Sequence, residues 1–105
     1  MPQFTVHRNQ NRETVANYPL LLDVQSDLLA GLATRVIVPL CPTGAMNGKL
    51  IKGLTAVFQI EGKEYAMLTP QLAAIPKKHL GPTIGDVARH RDHIIAALDL
   101  LITGI

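Results

Sequence analysis

Proline is scattered through this chain as far as Pro82 and is missing beyond it, and that distribution decides where a long helix can form. The proline ring fixes φ and removes an N–H, so an α-helix does not run through it. Pro70, Pro76 and Pro82 therefore break up the segment they share. After them neither Pro nor Gly interrupts Asp86 to Thr103, Thr83 can cap, and Asp86 follows it at the third position. The pattern predicts one continuous helix of about five turns, opening near Thr83 and closing at Thr103.

Upstream of Pro70 the sequence reads as strands. Phe4, Val6 and His7 begin an extended segment, and the polar stretch from Asn9 to Asn17 reads as an exposed loop. Tyr18 to Val24 is a short apolar run that favours a buried strand, and Ser26 is placed to cap a short helical turn through Leu28 and Leu29. Thr34 to Leu40 carries three β-branched residues in a row and is the strongest strand, with Pro39 expected to end its pairing. Cys41 to Lys52 holds Pro42, Gly44 and Gly48 and reads as a surface loop. Ala56–Ile60 and Glu64–Thr69 flank Glu61-Gly62-Lys63, a hairpin with the three residues as its loop. A length of 105 residues suits one domain spanning 1–105, of α+β class: an antiparallel sheet followed by a long C-terminal helix. With two Phe, two Tyr and no Trp, its core must be built from Leu, Ile and Val.

Charge and cysteine content narrow the function classes. The net charge of +2 is too small to argue for nucleic acid, and the run Lys77-Lys78-His79 reads as a solvated turn. Cys41 is the only cysteine, which leaves no internal disulfide and no thiol metal cluster and fits a reducing cytoplasm. The N-terminus lacks an apolar secretory core, and no window approaches the ~18 apolar residues of a membrane span. A soluble cytoplasmic protein without cofactor or metal is expected.

The last helix carries two faces. At 100° per residue Val87, Ile94, Ala97, Leu98, Leu101 and Ile105 share one side, which can pack on the sheet. Opposite them run Ala88, Asp92, Ala96, Asp99 and Thr103, a small and acidic stripe. Such a stripe is either a solvated face or a docking face that lets a basic partner approach closely.

At this point the residues resemble a known family. Asp23-Val24-Gln25-Ser26-Asp27 after an apolar strand, then Arg35-Val36-Ile37-Val38-Pro39-Leu40, then a helix ending Gly104-Ile105, is similar to CcdB. Gln3-Phe4, Met67-Leu68-Thr69 and Ala74-Ile75-Pro76 extend the likeness in collinear order. The resemblance implies the toxin of a toxin–antitoxin pair: a homodimer with a small SH3-like barrel, shared with the MazF and Kid ribonucleases. It implies no catalysis of its own. Its partners would be the DNA gyrase A subunit, trapped on cleaved DNA, and a CcdA-like antitoxin whose complex represses the operon, operator DNA being met only through that complex. The gyrase-contacting positions it implies are Ala88, Arg91, Asp92, Ala96, Asp99, Thr103, Gly104 and Ile105, nearly the stripe found from periodicity.

The helix face departs from the family pattern, with Ala or Asp in place of several polar amides and one larger change at its end. The familiar tail is Trp-Gly-Ile, and Thr103 stands where the Trp would be. A buried Trp is a typical interface hot spot worth about 2 kcal/mol or more, and Thr lacks that apolar area. Two alternatives follow. One is a MazF- or Kid-like endoribonuclease drawing on Arg35, His7, His90 or His93 with Asp23. The other is a family member that keeps its antitoxin but has lost gyrase poisoning. A metal site from Asp86, His90 and His93, or a nucleophilic Cys41, is the remaining chemistry that the residue types allow.

Overall fold

Side chains alternate across extended backbone, so Val6, Leu20, Leu22, Val38 and Leu40 share one face of the central strands, and all are buried. The computed structural model describes residues 2–46, 50 and 53–104. Its strands are β1 (Thr5–Asn9), β2 (Leu20–Asp23), β3 (Thr34–Pro42), β4 (Val57–Ile60), β5 (Lys63–Met67), β6 (Ala73–Pro76) and β7 (Leu80–Asp86). They make a 7-stranded antiparallel sheet in the order β4-β5-β3-β2-β1-β7, with β6 attached to β3. The helix α1 (Arg91–Thr103) closes the apolar face with Ile94 and Ala97, which are 0% and 1% exposed. Burying each such aliphatic side chain contributes about 1.5–3 kcal/mol. This curled sheet with one C-terminal helix is the α+β architecture expected from the sequence.

The opposite face of the central strands is also buried, and it mixes apolar with polar and charged side chains. Register places His7 beside Leu21, Leu21 beside Pro39, and Asp23 beside Ile37. Arg35 and Asp23 lie on this face at 1% and 0% exposure. Arg35 Nε and Nη2 donate to Asp23 Oδ2 at 2.8 and 2.7 Å. Asp23 Oδ1 accepts the Gln25 N–H at 3.0 Å. Gln25 in turn donates through Nε2 to the Leu29 carbonyl and accepts the Val36 N–H on Oε1. Ser26 Oγ caps the short 3₁₀ turn Asp27–Leu29, as expected, and Asp27 Oδ1 accepts the Gln3 N–H. The whole Asp23–Asp27 block is thus spent on joining β2, β3 and the N-terminus.

Phe4 links this block to the helix. Its N–H donates to the Asp23 carbonyl and its own carbonyl accepts from Val87, the residue that leads into α1. Phe4 takes φ 70°, a left-handed setting that costs a non-glycine residue about 1–2 kcal/mol. Both hydrogen bonds and a 3% exposed ring hold it there.

The structure corrects several sequence expectations. The segment around Thr83 is strand, not helix: Leu80–Asp86 pairs with β1, Thr5 lying opposite Asp86 and His7 opposite Thr83. The 3₁₀ turn Ala88–His90 follows, so the helix begins only at Arg91 and has 13 residues. Pairing with a strand at the other end of the chain outweighed the local helical pattern, which cannot register so distant a partner. The proline-broken segment holds β6 as well. Asn9 belongs to β1 and is 6% exposed, and Cys41 and Pro42 belong to β3. Of the expected 41–52 loop, 47–49, 51 and 52 lie outside the described residues. The β2 strand starts at Leu20, after Tyr18 and Pro19. The hairpin loop is the Glu61–Gly62 pair, both at positive φ (51° and 79°), while Lys63 already pairs with Ile60.

Pro39 does not end its strand. The Val36 carbonyl accepts from Val24 on the β2 side, and the Pro39 carbonyl accepts from Leu68 on the other side. The absent Pro39 N–H therefore points where β3 exchanges β6, last paired at Ile37, for β5, first paired at Leu40. No ladder bond is lost there.

Replacing Asp23 by Ala leaves Arg35 as a buried charge and is expected to cost about 3–5 kcal/mol in urea denaturation. The double substitution Asp23→Leu with Arg35→Met removes the charge as well, so it should recover much of that loss.

Candidate functional site

An amphipathic helix laid on a sheet must show its remaining face to solvent, and here that face is the stripe read from periodicity. Asp92, Ala96, Asp99 and Thr103 are all exposed on α1. Ala88 is exposed too, but from the preceding 3₁₀ turn rather than from the helix. On the packing side Ile94 and Ala97 are buried, whereas Leu98 and Leu101 are half-buried and Val87 packs from outside the helix. The expected sidedness holds, with a narrower buried stripe.

Charge on the face is solvent-borne. Arg91 Nη1 lies 3.9 Å from Asp92 Oδ1, with the side chains 63% and 101% exposed. An ion pair that loose contributes little, leaving both charges to a partner. The Thr103 hydroxyl donates back to the Asp99 carbonyl at 2.7 Å. Gly104 ends the helix at φ 77°, where its N–H donates to the Leu100 carbonyl. Only glycine takes that conformation at little cost, so the cap fixes how the chain leaves the helix. Ile105 lies outside the described residues.

Two exposed apolar features were not read from the sequence. Ile102, 73% exposed, sits three residues after Asp99 on the flank of the stripe and beside Thr103. Its offset from the buried positions was the available signal. Leu28, Leu29 and Leu32 stand 94%, 51% and 50% exposed around the turn after β2. Apolar side chains so exposed are the kind a partner covers.

The residues considered for catalysis are brought together only in part. Arg35 and Asp23 bond each other inside the protein, where no substrate reaches them. His7 is 1% exposed, with Nε2 2.9 Å from Thr5 Oγ1 and Nδ1 3.1 Å from the Gly81 carbonyl. A carbonyl only accepts, so Nδ1 carries a hydrogen and the ring ties β1 to β7. His90 and His93 lie apart from that group, their ring centroids 6.4 Å from each other, with Phe58 5.2 Å from His90. Asp86 Oδ1 accepts the Ala88 N–H. Among the described residues no group of three His, Cys, Asp or Glu could hold a metal ion. Nor is any described helix long and apolar enough to cross a membrane.

Cys41 is 8% exposed, and burial pushes its thiol above the ordinary value. A raised value favours the protonated thiol in the folded state, so this contribution to stability is complete below the ordinary thiol pKa. It is lost as pH rises through the raised value. Native protein should therefore resist iodoacetamide at pH 8 where urea-unfolded protein reacts. Above about pH 8.5 the wild type should lose more stability than Cys41→Ala.

Comparison with known proteins places this geometry among relatives. The family model described as CcdB protein matches residues 3–104. A solved structure titled an endoribonuclease from mycobacterial species superposes with TM-score 0.74 at 16% identity, over 97% of this chain and 90% of that one. At that identity the likeness is one of fold.

Proposed function

The chain belongs to the CcdB family, toxins of toxin–antitoxin systems, and from that premise we propose that it acts on the A subunit of DNA gyrase. The toxin docks the exposed face of α1 on gyrase and holds the enzyme in the state joined to cleaved DNA. It performs no catalysis. Ala88, Arg91, Asp92, Ala96, Asp99, Thr103, Gly104 and Ile105 form the contact.

The observation that carries this reading is the stripe itself. Every one of these residues that the structure describes is exposed, and none of them is needed for the core. Small side chains let a partner come close, and the acids at Asp92 and Asp99 select a basic surface. Ile102 supplies exposed apolar area next to Thr103, which offsets part of what the missing Trp would give.

The remaining parts of the reading follow the family. The toxin is a homodimer of single-domain chains spanning 1–105, held in the cytoplasm where gyrase works. A CcdA-like antitoxin neutralises it, and the two together repress their own operon. The open outer edge of β6 and the exposed leucines of the β2–β3 turn are surfaces such partners could cover.

The test is a cleavage assay with purified protein, gyrase, supercoiled DNA and ATP. Linear DNA should accumulate after detergent and protease. Wild-type protein that leaves the DNA supercoiled, although it binds an antitoxin tail, would rule out poisoning while keeping the toxin fold. Asp99→Arg should fold with an unchanged melting temperature and produce no linear DNA. If it poisons gyrase as well as wild type does, the docking face has been misplaced. Removal of Gly104 and Ile105 should likewise abolish linear DNA with little change in melting temperature.

A further inference from the structure

The face of the sheet opposite α1 holds a hollow of about 170 Å³ that the toxin reading does not use. Its floor is Leu21, Ile37, Pro39, Ala73 and Ile75. Strand alternation and register put these side chains on the face away from the helix, since Leu20, Leu22, Val38 and Leu40 occupy the other. The wall comes from the loop after β1, which brings Asn11, Thr14 and Tyr18, and from the turns around β6, which bring Gln71 and His79.

The wall has hydrogen-bonding capacity to spare. Asn11 Oδ1 accepts the Glu13 N–H, which leaves the amide hydrogens of Asn11 uncommitted. Thr14 Oγ1 accepts from Asn9 Nδ2, which leaves the hydroxyl hydrogen of Thr14. Among the described residues, the side chains of Gln71 and His79 and the hydroxyl of Tyr18 make no hydrogen bond. The loop that carries most of the wall is itself anchored: Asn9 Nδ2 also donates to the Tyr18 carbonyl, and Asn9 Oδ1 accepts the Asn11 N–H. An apolar floor with a few convergent polar groups is the general form of a ligand site.

Size and chemistry select the occupant. A cavity of about 150 Å³ holds one benzene ring, so this hollow takes a single ring-sized group. An aliphatic or phenyl anchor would use the floor and desolvate the wall without pairing it, which is costly. A purine or pyrimidine has an apolar face together with donors and acceptors on its edge, and a wall of amides, hydroxyls and an imidazole matches both. Among the described residues, no carboxylate lines the hollow. Arg12 follows Asn11 and Lys78 precedes His79 in the sequence, so a cationic residue neighbours a wall residue in each of the two segments.

We infer that this hollow binds a nucleobase, presented by a free nucleotide or by an unstacked position of single-stranded RNA. The site is independent of the helix stripe and of the toxin's target. The overall charge of +2 does not oppose it, because recognition here is of one ring rather than of a long phosphate backbone.

The experiment uses the full-length ¹⁵N-labelled chain in three separate titrations: the four ribonucleoside 5′-monophosphates, a single-stranded RNA decamer, and ribose 5-phosphate, which has no base. Saturable amide shifts centred on Asn11, Gln71 and His79 are expected with at least one base-containing ligand and not with ribose 5-phosphate. Shifts with mononucleotides identify a nucleotide site, and shifts with the decamer alone identify an RNA contact. The pair Asn11→Ala with Gln71→Ala should weaken binding about tenfold. Ala73→Leu, which adds bulk at the floor, should do the same, while Asp99→Arg should leave affinity unchanged. Any of three results overturns the inference: no shift at these residues with any base, equal shifts with ribose 5-phosphate, or unchanged affinity in both the wall and floor variants.

Discussion

The Arg35–Asp23 pair is the interaction on which the rest of this structure depends. Two charges taken out of water cost several kcal/mol each, and their attraction repays that only when every remaining hydrogen-bonding site is filled. Here they are filled by the backbone around them. Asp23 gives one oxygen to Arg35, the other to the Gln25 N–H, and its carbonyl to Phe4. The pair therefore forms only when β2, β3 and the N-terminal residues stand in their final places. This makes it an instrument of register more than of raw stability, because a slip by one residue would carry Asp23 to the apolar face.

The same block explains why the family is recognisable. Asp23, Gln25, Ser26 and Asp27 each hold a defined hydrogen bond inside the chain. They specify the scaffold, and none of them lies on the helix stripe. The exposed stripe is built from residues the scaffold does not use, such as Asp92, Ala96 and Asp99. A chain built this way can exchange a surface residue, as at Thr103, and keep its architecture. The scaffold and the exposed stripe are written in separate parts of the sequence.

How much could be read in advance follows from the range of the forces involved. The hairpin around Gly62, the Ser26 cap, the β-branched strand β3 and the exposed side of the last helix all declare themselves within a few residues. The strand β7 does not. Leu80–Asp86 contains two glycines and a proline and has no alternation of its own, and it becomes a strand only because β1 lies beside it. The same holds for β6, whose Ala73 and Ala74 gain their meaning from Ile37 and Val36. Among the stripe residues, only Ala88 changed its setting, because the helix start moved. Ile102 escaped notice because solvent exposure of an apolar side chain depends on what the sheet leaves uncovered.

The pairing of β1 with β7 also has a consequence in time. Thr5 faces Asp86, so the first strand made on the ribosome has its outer partner among the last residues to be made. At about 5–20 residues per second, translation leaves β1 without that neighbour for several seconds. Phe4 cannot receive the Val87 N–H, nor His7 the company of Gly81, until then. The helix face is thus presented last, on a sheet that closes only after synthesis has nearly finished. An incomplete chain carries neither the closed scaffold nor the surface raised upon it.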